Sequence, residues 1–187
     1  MTKNNEIIQV NNHTYKLWLN HKQMMHRIKI LAAWIEDELP PTNMPPPILM
    51  EVQTGGKYLL VDLHRELKID VHVDAVGVTS YPNIEKHEPP KITSMWRSNV
   101  ERRDVILVED IIDSGDTTQF IKKRLLAAGA YRVVIVAIVA RKHSKRAMGE
   151  YDRVCFTYPG DEWLHGYGLD DGQLGRQLTD IYFKTSE

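Results

Sequence analysis

The chain has 187 residues, one cysteine and a formal net charge of −1 from 24 basic and 25 acidic side chains. That length suits one domain with a substantial core, and the charge balance gives no bulk field for nucleic acid or membrane, so any anion site must be local. Cys155 alone excludes an internal disulfide framework and a cysteine-rich metal site; no apolar run reaches the roughly 18 residues of a transmembrane helix, and the first residues lack the apolar core of a secretory signal, which makes the cytoplasm the expected compartment.

In chain order, the first predicted element is a helix from Asn20 to Leu39. Met24, Ile28, Leu31 and Ile35 recur at three- and four-residue steps, and Asn20 can cap the start. The proline-rich stretch Pro40 to Pro47 is a connection, because proline removes backbone donors. Ile48 to Val52 is a short apolar run expected to be a buried strand. Gly55-Gly56 then turns into a helix, Lys57 to Leu67, and Val71 to Ser80 is a second strand. Tyr81 to Arg103 is a long polar loop of the kind that serves as a lid, interrupted by a short hairpin around Ile92 to Trp96. Val105 to Val108 is the clearest strand and Thr117 to Ala128 the clearest helix, stopped by Gly129. Val133 to Ala140 is a continuous apolar run, as expected for a parallel strand covered on both faces. Val154 to Thr157 is a last short strand, and Trp163 to the end forms a smaller cap. Strands and helices in this order predict an α/β fold with a mainly parallel sheet.

The chemistry gathers in Val105-Ile106-Leu107-Val108-Glu109-Asp110-Ile111-Ile112-Asp113-Ser114-Gly115-Asp116-Thr117-Thr118. An apolar strand ends in two adjacent carboxylates, a third follows, and a small polar turn opens a helix. In an open α/β sheet, ligands bind beyond the carboxyl ends of the strands. A helix start offers free backbone N–H groups and partial positive charge, which favour a phosphate. Taken alone, such a turn is an ordinary capped helix start. Three carboxylates at an apolar strand end are not ordinary, since packing them together costs free energy unless something positive or hydrogen-bonding sits there.

This segment closely resembles the phosphoribosyl-pyrophosphate signature of type I phosphoribosyltransferases, in the Glu-Asp-Ile-Ile-Asp form of the hypoxanthine-guanine branch. The resemblance runs from about residue 48 to 183 and implies the type I phosphoribosyltransferase fold. In it, a core of about residues 48–158 carries a hood of about 159–187 joined by the N-terminal segment, with a mobile lid at about 80–103. It implies that Glu109 and Asp110 bind the ribose hydroxyls, that Asp113 lies near purine N7 as the catalytic base, and that Asp113, Ser114, Gly115, Asp116, Thr117 and Thr118 wrap the 5-phosphate. Asp116 departs from the pattern, and its side chain is expected to point outward. The backbone loop Thr54-Gly55-Gly56, which in the family carries a non-proline cis peptide, the lid pair Ser80-Tyr81, and Arg176 are implied to meet pyrophosphate. Thr54 and Gly77 stand where the family has cations, with Lys57, Arg97, Arg102 or Arg103 to compensate.

Arg141 to Arg146 resembles the segment whose lysine donates to the purine 6-oxygen. Lys142 is the choice for that role, with Arg141 as competitor. Trp163 replaces the phenylalanine that stacks on the purine, the Leu164 backbone reads the base edge, and Asp170 is expected in the purine pocket and on magnesium, with Glu109 and Asp110 as further metal candidates. His165 replaces an apolar residue and has no assigned role. The implied reaction is transfer of phosphoribosyl from phosphoribosyl pyrophosphate to hypoxanthine or guanine, with Mg2+ as cofactor, in purine salvage. The expected partners are those two substrates and a second copy of the chain as dimer or tetramer, with neither nucleic acid nor membrane. Two alternatives stay open: a xanthine-preferring enzyme, and an RNA-binding regulator of the same fold.

Overall fold

The computed structural model describes residues 6–39, 44–79, 90–142 and 151–185. It opens with a hairpin the sequence reading did not foresee, β1 (Ile7–Val10) and β2 (His13–Leu19). Asn11 and Asn12 turn it with φ of 48° and 61°. Positive φ at both turn residues matches the right-handed twist of the strands, and asparagine tolerates it.

Helix α1 (His21–Glu38) begins at a reciprocal cap: the Asn20 side chain accepts from Gln23 N and the Gln23 side chain accepts from Asn20 N. Met24, Ile28, Leu31 and Ile35 form its buried stripe. Next come β3 (Ile48–Gln53), α2 (Lys57–Glu66), β4 (His72–Thr79), β5 (Lys91–Ser94) and β6 (Asp104–Ile112). They are followed by α3 (Asp116–Ala127), β7 (Arg132–Arg141), β8 (Arg153–Tyr158), β9 (Leu164–His165) and β10 (Ile181–Lys184). The central sheet has six strands in the order β5-β4-β3-β6-β7-β8, parallel except where β5 pairs antiparallel with β4. A separate antiparallel sheet, β1-β2-β10-β9, joins both ends of the chain.

Alternation along β6 divides the core. Ile106 and Val108 pack with α1 and α2 on one face, whereas Val105 and Leu107 pack with Ile121 and Leu125 of α3 on the other. Burial on both faces explains why β6 and β7 read as unbroken apolar runs.

Two expectations change. The strand does not stop at Val108 but continues to Ile112, because β7 pairs with it to the end (Ile111 with Val139, Ile112 with Ala140). The long polar loop also shrinks. Lys91–Ser94 is an edge strand on β4, not a self-contained hairpin. Beyond it, the Asp74 carboxylate accepts from the N–H groups of Arg97 and Ser98, and Arg103 donates to Pro46 O. Residues 80–89, and with them Ser80 and Tyr81, lie outside the described residues, as do residues 40–43 of the proline-rich connection.

Candidate active site

Strands β3, β6 and β7 end beneath the four-stranded sheet, and between them lies a cleft of ≈ 780 Å³. Its floor is the start of α3. Gly115 precedes that helix with φ 82° and carries no side-chain cap, so the turn presents its backbone to the cleft. Only glycine takes such a φ readily. Asp113, Ser114, Gly115, Thr117 and Thr118 line the cleft, and Thr118 Oγ1 donates back to Gly115 O at 3.0 Å. Asp116 is absent from the lining. Its carboxylate accepts from Ser114 Oγ at 2.8 Å and faces away, while Ser114 Oγ also accepts from Asp116 N at 3.3 Å. The outward side chain is as expected, but the amide is occupied within the turn.

Glu109 and Asp110 sit on β6 inside the cleft. Burial pushes the Glu109 carboxyl well above the usual range, with the neighbouring Asp110 charge adding to it. Burial also raises Asp110, opposed by hydrogen bonds from Glu109 and Ile111 N and by Arg176. Two adjacent acids of this kind, Glu109 buried and Asp110 partly buried, favour a cationic or hydroxyl-bearing ligand. Gly55 makes room for them: a Cβ there would stand 1.7 Å from Asp110 Oδ2. At Gly56 a Cβ would stand 2.5 Å from Val108 O, so the two glycines let the start of α2 approach β6. The Gln53–Thr54 peptide is cis, and Thr54 and Gly55 line the cleft while Gly56 lies behind it.

The opposite wall comes from β7 and the hood. Arg141 ends β7. Its Nε lies 3.5 Å from Asp113 Oδ1, and its other nitrogens donate to Gly160 O (3.0 Å) and Glu162 O (3.1 Å). Trp163 is 54% exposed, lines the cleft, and is held by a bond from Nε1 to Asp170 O. Buried Leu164 follows it on β9 and also lines the cleft. Asp170 is bound on both carboxylate oxygens, by Arg176 at 2.5 Å and by Gln173 N at 2.8 Å.

Glu109, Asp110 and Asp170 therefore offer hard oxygen donors to one cleft. Among the described residues no group of three or more His, Cys, Asp and Glu forms a ready cage. Magnesium is usually held by one or two carboxylates plus substrate oxygens, so this donor set fits a cation that arrives with a phosphate-bearing substrate.

The model for the phosphoribosyl transferase domain matches residues 15–171. The chain belongs to that family. It is 30% identical over 168 residues to a hypoxanthine-guanine phosphoribosyltransferase of Aquifex aeolicus, covering 89% of this chain and 93% of that protein. It is 28% identical to the enzyme of that name from Bacillus subtilis, covering 87% and 89%. A crystal structure of a hypoxanthine-guanine phosphoribosyltransferase from Bacillus anthracis superposes with a TM-score of 0.82 at 27% identity, covering 90% of this chain and 97% of that one. The architecture is the type I phosphoribosyltransferase fold.

Of the two candidate cations at the end of β7, Arg141 lines the cleft and Lys142 is not in its lining. Lys142 is exposed, and its N–H donates to Tyr158 O; His143 to Arg146 lie outside the described residues. The missing cation at Gly77 also has a steric reason. A Cβ there would meet Thr93 Oγ1 at 2.8 Å and Ser94 Cβ at 3.0 Å on β5. Lys57, Arg97, Arg102 and Arg103 do not compensate from the cleft wall. Among the described residues its cations are Arg141 and Arg176, both already bonded. Gln173, which lines the cleft and holds Asp170, was not singled out from the sequence. Its position in the turn Asp170–Gln173 was the signal, since an Asp carboxylate commonly accepts from a following N–H.

Proposed function

We propose that this phosphoribosyltransferase moves the 5-phosphoribosyl group of phosphoribosyl pyrophosphate to N9 of a 6-oxopurine, hypoxanthine or guanine, in purine salvage, with Mg2+, in the cytoplasm. The observation that carries the reading is the meeting of three acids, an uncapped helix start and an exposed tryptophan in one cleft. The backbone of the turn Asp113 to Thr118 and the Ser114 and Thr117 hydroxyls hold the 5-phosphate. Glu109 and Asp110 accept from the ribose hydroxyls. Trp163 stacks on the purine, and the Leu164 backbone meets its edge. Thr54, Gly55 and Arg176 face the pyrophosphate, with Ser80 and Tyr81 assigned to it by resemblance alone. Arg141 takes the role first given to Lys142: its guanidinium, a donor only, faces the 6-oxygen. As the N9–C1′ bond forms and the C1′–O bond to pyrophosphate breaks, Asp113 takes the proton from N7. Asp170, Glu109 or Asp110 would hold a magnesium ion, which would supply positive charge to offset the negative charge of the departing pyrophosphate.

The test is pyrophosphate release from phosphoribosyl pyrophosphate and Mg2+ with hypoxanthine, guanine, xanthine, adenine and uracil in turn. Turnover with hypoxanthine or guanine, abolished by chelator, is expected. Release only with xanthine would move the assignment to that base, and none with any base would end it.

A further inference from the structure

The hood turn Gly166-Tyr167-Gly168 has positive φ at all three residues, of 97°, 50° and 97°. Such a backbone is costly for a tyrosine, so its surroundings must hold it there. Within the hood, Gly166 N donates to Leu169 O at 2.9 Å, Tyr167 N to Leu178 O at 2.9 Å, and Gly168 N to Arg176 O at 3.0 Å. One further bond leaves the hood. The buried Tyr167 side chain reaches helix α2, where its hydroxyl donates to Asp62 Oδ2 at 2.7 Å. Its ring leans on that of Tyr58, with centroids 6.3 Å apart. Burial, and after it the Asp62 bond, push the Tyr167 hydroxyl up, so it keeps the proton it donates. Among the described residues, no other side chain hydrogen-bonds α2 to residues 159–185.

This joint sits where two parts of the cleft wall meet. Helix α2 follows the Thr54-Gly55 loop, and Gly168 is pressed against that loop: a Cβ on it would stand 2.5 Å from Gly55 O. On its other side, Gly168 O accepts from Arg176, whose second terminal nitrogen holds the Asp170 carboxylate. Gly55, Asp170 and Arg176 line the cleft, whereas Tyr58, Asp62 and Tyr167 do not. Trp163 also leans on Asp170 through Nε1, but its strand has separate support, since Lys184 N donates to Trp163 O and β9 pairs with β10. We propose that Asp62 is a positioning residue for the pyrophosphate-bearing substrate. Through the Tyr167 hydroxyl it sets Gly168, and with it Arg176 and Asp170, at a fixed spacing from the Gly55 loop. The inference rests on the transferase reading and adds to it a residue that touches no substrate. Arg65 also approaches Asp62, at 3.4 Å, but its side chain is 73% exposed, and such a surface pair contributes little.

Three substitutions separate the bond from the packing. Tyr167→Phe keeps the ring and removes the hydroxyl, Asp62→Ala removes the acceptor, and Asp62→Asn keeps an oxygen that can accept. Steady-state kinetics with hypoxanthine, phosphoribosyl pyrophosphate and Mg2+ are measured beside the melting temperature. Tyr167→Phe and Asp62→Ala are each expected to raise KM for phosphoribosyl pyrophosphate about three- to tenfold, the weight of one lost hydrogen bond, with KM for hypoxanthine within about twofold of wild type. The double variant is expected to be no worse than either single one, because both remove the same bond. Asp62→Asn is expected to restore KM, and Arg65→Ala to leave it unchanged. Equal rises in both KM values would overturn the proposal in an active enzyme. So would a lower melting temperature with KM unchanged, or an Asp62→Asn protein as impaired as Asp62→Ala. A wild-type chain that releases no pyrophosphate with any base would remove the transferase reading and this proposal together, so the wild type tells the two failures apart.

Discussion

Asp113 follows β6 with a carboxylate 75% exposed and 3.5 Å from Arg141. It is open to the cleft, where an incoming base would stand. Replacing it with asparagine keeps the shape and removes the proton acceptor. Asp113→Asn is expected to cut kcat by roughly 10²–10⁴-fold, the usual weight of a general base; near-normal single-turnover rates would take Asp113 out of the chemistry. Arg141 is bonded to Asp113, Gly160 and Glu162 together, and so ties the base-side loop to the acid. A lysine keeps the charge but cannot make this forked set. Arg141→Lys is expected to raise KM for the purine about tenfold, from one or two lost bonds of roughly 0.5–1.5 kcal/mol each, whereas Lys142→Ala leaves KM close to wild type. The reverse order in steady-state kinetics would return the role to Lys142. The basic run drew attention in the sequence because of its charge. Which of its residues enters the cleft depends on where β7 ends, a one-residue question that composition cannot answer.

At the scale of elements, legibility followed local patterning. The α1 stripe and its Asn20 start were readable because period and cap lie within a few residues of each other. Asn20→Ala removes one half of the reciprocal cap and is expected to cost about 0.5–2 kcal/mol in urea unfolding, with unchanged activity. A loss under a few tenths would mean that tertiary packing alone holds the helix start. The β1–β2 hairpin was not read. β1 is only four residues long, and β2 carries polar residues on both faces and pairs with β10 at the far end of the sequence; the one local sign was Asn11-Asn12. The edge strand Lys91–Ser94 was similarly hidden, since three of its four residues are exposed and its pairing with β4 skips across residues 80–89. The acids of β6 were placed at the right end of the right strand. Their burial within the sheet was missed, because charged residues usually end a buried strand rather than continue it.

For the whole molecule, that burial sets stability against function. Glu109 carries a folded-state pKa well above its unfolded value. Between the two values the folded chain binds the more protons, so stability is fully present below the unfolded pKa and falls as pH rises through the folded one. The free protein is therefore expected to melt lower at pH 8 than at pH 5.5 on this account. Glu109→Gln should raise the melting temperature at pH 8 and flatten the profile, while impairing turnover. A variant that melts below wild type at pH 8 would show that the charge is compensated in the free protein. Acids kept adjacent at such a cost are typical of a site arranged for a ligand.

The hood links the two ends of the chain: Tyr15 pairs with Lys184, Asn11 donates to Asp171 O, and His21 N donates to the Asp180 carboxylate. On a ribosome, strand β2 emerges early and must wait for β10, while the six-stranded sheet needs nothing beyond β8. A nascent chain thus acquires the turn Asp113 to Thr118 before the roof that holds Trp163. That wall of the cleft would close late, once Ile181 to Lys184 has left the exit tunnel and can pair with β9.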